Sequence, residues 1–234
     1  MEGRLTARRG ENVLALIGIP AAVLLFFDSV DLVPVPAGQA RIDVLLPGTL
    51  ALAVIAAGLV NLGIATAYER AYGVLKRLGG SPLGSTGLIT AKLLTVVLVE
   101  IGVVIVLVAM ASAIFGWHPG PGASAPAFIA TFLVGTAAFA GLGLALAGTL
   151  RAEATLTLAN AIFIACLLLG GVVVPVDHLP DALATVSRLL PAAALAEAFR
   201  AALGGGGELG RSLAVVGAWA VGALAVALRW FRWE

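Results

Sequence analysis

The sequence predicts an all-α, multi-pass membrane protein of about six transmembrane helices, and three observations carry that prediction. Of its 234 residues, 61% are hydrophobic and only 12% are charged, against about 25% charged in a soluble domain. Its mean hydropathy is +1.08. Apolar runs recur at 12–30, 45–67, 88–115, 126–150, 155–176 and 209–228, most of them near the roughly 20 residues needed to cross about 30 Å of hydrocarbon. The charged residues collect between these runs. The net charge of +1 says little about partners, because in such a chain the position of charge matters more than its sum.

The first run follows Arg4, Arg8 and Arg9, contains Pro20 and is closed by Asp28 and Asp31. It is the weakest of the six. No small-residue cleavage site follows Phe27, so it reads as a span and not as a cleaved signal peptide. The second run carries Asn61 and Thr66, the third Glu100, the fourth Thr131, Thr136 and the glycines 135, 141, 143 and 148, and the fifth Asn160 and Cys166. Cys166 is the sole cysteine, which excludes an intramolecular disulfide and marks a small apolar packing residue. Residues 177–205 are too polar to span, with Asp177, His178, Asp181, Arg188, Glu197 and Arg200 among them. The Trp117–Pro126 segment reads as a turn and Gly204–Gly207 as a joint before the last run. The C-terminal segment Arg229-Trp-Phe-Arg-Trp233 is an interfacial anchor of arginine and aromatic residues. Residues 1–234 read as one membrane domain.

Six spans put both termini on one side. With the termini inside, the inner segments hold Arg4, Arg8, Arg9, Arg70, Lys76, Arg77, Lys92, Arg151, Arg229 and Arg232, and the outer ones only Arg41, Arg188, Arg200 and Arg211. Ten basic residues against four place both termini in the cytoplasm. The arginine-, alanine- and glycine-rich usage suits a bacterial plasma membrane protein.

Two stretches depart from plain spans. Between the second and third runs, Tyr72, Leu75 and Leu78 fall near one helical face while Lys76 and Arg77 project toward water or headgroups, and Gly79-Gly80-Ser81-Pro82 ends the helix. The second stretch begins where the fifth run breaks at Gly170-Gly171 and Pro175. It continues as two short helices opening at Leu179-Pro180 and Leu190-Pro191, with proline suited to the first turn of each. Irregular backbone at such depth is tolerated only under cover of protein or a watery cavity, so a helical hairpin on the outer face is expected.

Together these stretches resemble the permease subunits of ATP-binding-cassette exporters, the type-2 export family. The residues that carry the resemblance are Glu69-Arg70, Gly73, Lys76-Arg77-Leu78 and Ser81-Pro82 on the inner side. On the outer side they are Gly170-Gly171, Pro175, Leu179-Pro180 and Leu190-Pro191. The chain departs from the family pattern at Ala71, Tyr72 and Gly79. The resemblance implies that Glu69, Arg70, Tyr72, Gly73, Lys76, Arg77, Leu78, Ser81 and Pro82 form a coupling helix. That helix would seat in a cleft of a separate ATP-binding subunit, present in two copies and itself holding ATP and Mg²⁺. It implies a second permease, identical or similar, and an amphipathic or lipid-like substrate for efflux. Lys76 and Arg77 would meet acidic groups of the ATPase or anionic lipid headgroups.

Polar residues within the spans are candidates for a substrate path: Asn61, Glu100, Thr136 and Asn160. Glu100 equally suits a hydrogen bond to a neighbouring helix, with Asn61 or Asn160 as partner. An alternative function is a proton-coupled secondary transporter working through Glu100, but the paired broken helices of two halves are not seen. A membrane enzyme is disfavoured by the lack of a His-Glu-x-x-His motif or a nucleophile elbow. A permease for cytochrome maturation shares the span count. Gly79 to Thr86 superficially resembles a phosphate loop, but Ser85 stands where its lysine would, so this chain is expected to bind no nucleotide and to be no enzyme by itself. His118 and His178 lack a third ligand in sequence, so no metal is assigned, and no nucleic acid partner is indicated.

Overall fold

A computed structural model describes residues 17–30, 35, 39–75, 84–171 and 181–230, apart from the side chains of 84–86, 88 and 181–183. The described residues form eight helices. These are α1 (Ile17–Ser29), α2 (Arg41–Ala71), α3 (Gly84–Phe115), α4 (Ala125–Thr149), α5 (Ala152–Leu169), α6 (Asp181–Leu189), α7 (Pro191–Ala202) and α8 (Leu209–Trp230). Five of them, α2, α3, α4, α5 and α8, are long and apolar enough to cross a membrane. The expected first span, 12–30, is represented by the thirteen residues of α1, about 20 Å of helix, which alone falls short of about 30 Å of hydrocarbon. Residues 12–16 lie outside the described residues.

The helix ends follow local chemistry. Asp43 in the first turn of α2 accepts from the Ala40 N–H at 3.1 Å, and the dipole there favours its charge. The Ser124 hydroxyl oxygen caps α4 by accepting from the Ala127 N–H, with Pro126 in the first turn. Pro191 opens α7, as the Leu190-Pro191 step predicts. The fifth helix ends at Leu169, short of the expected 176, with Gly170 as its C-cap; residues 172–176 lie outside the described residues. A Cβ at Gly170 would lie 2.9 Å from that of Ala192. Gly171 then turns with φ 64.

α2 is the hub. It is apolar all round, its most apolar stretch is 72% buried, and it touches α3, α4, α5 and α7. Between Ala56 and Leu62 it widens into a π-helical segment, and there it meets α4 backbone to backbone. A Cβ on Gly58 would lie 2.7 Å from the Ala140 nitrogen, and one on Gly63 would lie 3.0 Å from the Gly143 Cα. Two more glycines of α4 leave room for neighbouring side chains, Gly135 for Leu195 of α7 and Gly141 for Ala223 of α8. Small residues let helices approach closely where lipid offers no hydrophobic drive to associate. α3 and α5 sit at the periphery, each only 22% buried over its most apolar stretch.

The bundle has two ends. At one, Arg41 donates to the Asp28 carbonyl at 2.8 Å, and the loop before α4 is tied to the end of α7 by Gly120 N–H to Leu203 O and Ser124 N–H to Ala202 O, both 2.9 Å. At the other lie the ends of α2 and α4 and the starts of α3 and α5. α6 and α7 form a hairpin whose tip lies beside α8, with Leu189 exposed. The Trp219 Nε1–H, ten residues into α8, donates to the Leu189 carbonyl at 3.0 Å. Ten residues of helix put that tip roughly 15 Å below the start of α8.

Candidate functional site

The end of the bundle where α2 stops carries four of the predicted coupling residues, Glu69, Arg70, Tyr72 and Gly73. α2 terminates in a turn at Tyr72 and Gly73, with Tyr72 N–H to Tyr68 O and Gly73 N–H to Arg70 O both at 2.9 Å. Gly73 has φ 71, the left-handed position that glycine takes after a helix. Tyr72 is 73% exposed and stacks on Tyr68 at 6.0 Å.

Glu69 and Arg70 turn inward. The Glu69 carboxylate meets Lys92 of α3 at 2.5 Å, with the lysine side chain only 13% exposed. The Arg70 guanidinium donates to the Leu150 carbonyl, one of the carbonyls that the end of α4 leaves without a helical partner. The pair therefore braces α2 against α3 and against the α4–α5 junction, leaving Tyr72 and Gly73 at the surface. Lys76, Arg77, Leu78, Ser81 and Pro82 lie outside the described residues. Lys92 was not singled out from sequence as a partner of Glu69. Its position beyond the turn, as one of only two lysines, was the available signal.

The polar residues of the spans do not share one place. Glu100 is buried on α3 and accepts through Oε2 from the Thr136 hydroxyl of α4. This is the interhelical bond anticipated for Glu100, but its partner is Thr136 in place of Asn61 or Asn160. Glu100 Oε1 and the buried hydroxyls of Thr66 and Thr131 have no hydrogen-bond partner among the described residues. Asn61 is half-buried in the π segment of α2. Asn160 is exposed on α5, with its Nδ2 donating to the Leu156 carbonyl of its own helix.

Of the hairpin residues, Gly170, Gly171 and Pro191 are buried, while Pro175 and Pro180 lie outside the described residues. The Ser187 hydroxyl donates to the Leu169 carbonyl, tying α6 to the end of α5. Among the described residues no group of three His, Cys, Asp or Glu side chains comes together to hold a metal.

No curated protein and no solved structure matches the chain. Residues 4–203 match the model of the ABC-2 type transporter family. That domain is the membrane permease, and it lacks the ATPase, which lies in a partner subunit. With a family match over 200 of 234 residues and five membrane-length helices around a glycine-packed hub, the chain belongs to the ABC-2 type transporter family as a transmembrane component.

Proposed function

We propose that this chain is the permease subunit of an ATP-driven exporter in a bacterial plasma membrane, with the Glu69 end of the bundle facing the cytoplasm. Two copies, or one copy with a similar permease, assemble with two ATP-binding subunits that hold ATP and Mg²⁺. The observation that carries this reading is the build of α2. It is the most buried of the long helices, and it leads through the Tyr72–Gly73 turn straight into the basic 76–82 stretch. A push on that stretch would pass through the braced Glu69–Lys92 and Arg70–Leu150 contacts into the centre of the bundle.

The exposed Asn160 supports a path on the outer surface of α5, between two copies. A polar amide on a span of membrane length favours cover by protein or water over lipid. Few charges in the spans favour an amphipathic or lipid-like cargo. The test is affinity purification from mild detergent, with mass spectrometry of what accompanies the chain. The reading predicts that an ATP-binding subunit accompanies the native chain and is lost when Lys76→Glu and Arg77→Glu are combined. Failure of any ATP-binding protein to co-purify with the native chain would contradict it.

A further inference from the structure

Glu100 is the only acidic or basic residue between Leu93 and Phe115. It lies close to the middle of α3 and is 1% exposed. α3 packs against α2 and α4. α4 holds no acidic or basic residue. On α2 such residues occur only at the ends, Arg41 and Asp43 at one and Glu69 and Arg70 at the other. On α3 itself the nearest cation is Lys92, eight residues and about 12 Å of helix away, and the Glu69 carboxylate already holds it at 2.5 Å. An ionised Glu100 would therefore stand inside the bundle with no opposite charge beside it, and a buried charge without a partner is strongly disfavoured.

The hydrogen bonds at Glu100 also ask for one more proton. The Thr136 hydroxyl has a single proton and two oxygens within reach, Oε2 of Glu100 and, at 2.9 Å, the Phe132 carbonyl oxygen. That proton can lie along only one of the two contacts. With Glu100 ionised it goes to Oε2, and the Thr136 and Phe132 oxygens face each other at 2.9 Å with no proton between them. Glu100 Oε1, also buried, has no hydrogen-bond partner among the described residues and would share the negative charge. A proton on Oε2 removes each of these faults. The carboxyl then donates to Thr136, Thr136 donates to Phe132, and Oε1 becomes the carbonyl oxygen of a neutral acid.

We propose that Glu100 is a proton-binding site within the bundle. The bound proton makes the carboxyl a donor across the α3–α4 interface and completes a chain from Glu100 through Thr136 to the Phe132 carbonyl. The joint between the two helices is then proton-dependent, because loss of the proton reverses the Glu100–Thr136 bond and leaves a charge between the helices. The site requires only that α3 lies in a membrane, and so stands apart from the ATP-driven reading.

The test is infrared spectroscopy of the full chain in lipid nanodiscs near neutral pH, comparing the native protein with Glu100→Gln and Thr136→Val. A protonated carboxyl has a C=O stretch well separated from the bands of a carboxylate, and that stretch rises when the acid loses the hydrogen bond it donates. The native spectrum is expected to carry one such band, which Glu100→Gln removes and Thr136→Val shifts to higher frequency. A native chain without a protonated-carboxyl band, or with one that survives Glu100→Gln, would overturn the proposal. A band that Thr136→Val leaves in place would also overturn it, since the proton would then not lie on the bond to Thr136. Should Glu100→Gln fail to fold, the shift in Thr136→Val decides the matter.

Discussion

Gly143→Ala is expected to be a costly single methyl, because it falls on the backbone contact between α2 and α4. A Cβ at that position would lie 3.0 Å from the Leu59 carbonyl oxygen and 3.2 Å from the Leu59 Cα, and closer still to the Gly58 carbonyl oxygen. All three are backbone atoms of the π segment in α2, so no side chain can rotate away. The helices must separate by several tenths of an ångström along the contact that joins hub to α4, and gaps of that size forfeit a sizeable share of each dispersion contact. Overpacking of this kind costs about 1–3 kcal/mol, and an unyielding backbone neighbour puts this site at about 2–3 kcal/mol. Gly102→Ala is the control, since nothing lies within 4 Å of its built Cβ and alanine favours helix over glycine by up to ~1 kcal/mol. At about 2–4 °C per kcal/mol for a chain of this size, Gly143→Ala should lower Tm by about 4–12 °C while Gly102→Ala holds or raises it. The assay is thermal unfolding in detergent followed by a thiol-reactive fluorophore, because the single cysteine, Cys166, is only 6% exposed and labels on unfolding. A Gly143→Ala protein that melts with the native one, or a Gly102→Ala protein that falls as far, would refute the close-packing argument.

Lys92→Glu should destabilise the Glu69 end by about 1–2 kcal/mol, between the values for exposed and buried ion pairs. Adding Glu69→Lys should restore much of that loss in the same melting assay, whereas additive losses would show the pair to be inert. Thr136→Val should cost about 1 kcal/mol, since it leaves Glu100 without its hydrogen bond inside the bundle. Thr136→Val with Glu100→Leu should recover stability, because both polar groups are then gone. A double variant less stable than the sum of the two singles would contradict this.

The span pattern was legible because a bilayer imposes a length. Helices α2, α3, α4 and α8 begin and end within a few residues of the apolar runs that predict them. The hairpin was legible through Gly170-Gly171 and Pro191, residues whose backbone limits are local. The length of the fifth helix was not legible from hydropathy, which runs on to 176, because hydropathy does not register the left-handed turn at Gly171 that follows the Gly170 C-cap. The contacts of the charged end were equally hidden. Glu69 and Lys92 are 23 residues apart, Arg70 and Leu150 are 80, and Glu100 and Thr136 are 36, and no periodicity encodes pairing over such distances. The glycines of α4 announced close packing, but not that Gly143 meets the π segment while Gly135 meets α7. The basic residues of the coupling stretch from Lys76 onward remain an expectation of sequence.

The central claim is that the Tyr72 end of the bundle contacts an ATP-binding subunit in the cytoplasm. The most direct measurement places a photo-crosslinking amino acid at Tyr72 and, in a second protein, at His118, both exposed and at opposite ends of the bundle, and identifies the adducts formed in intact cells. The account predicts an adduct with an ATP-binding subunit from position 72 and none from position 118. An adduct with that subunit from position 118, with none from position 72, would contradict it.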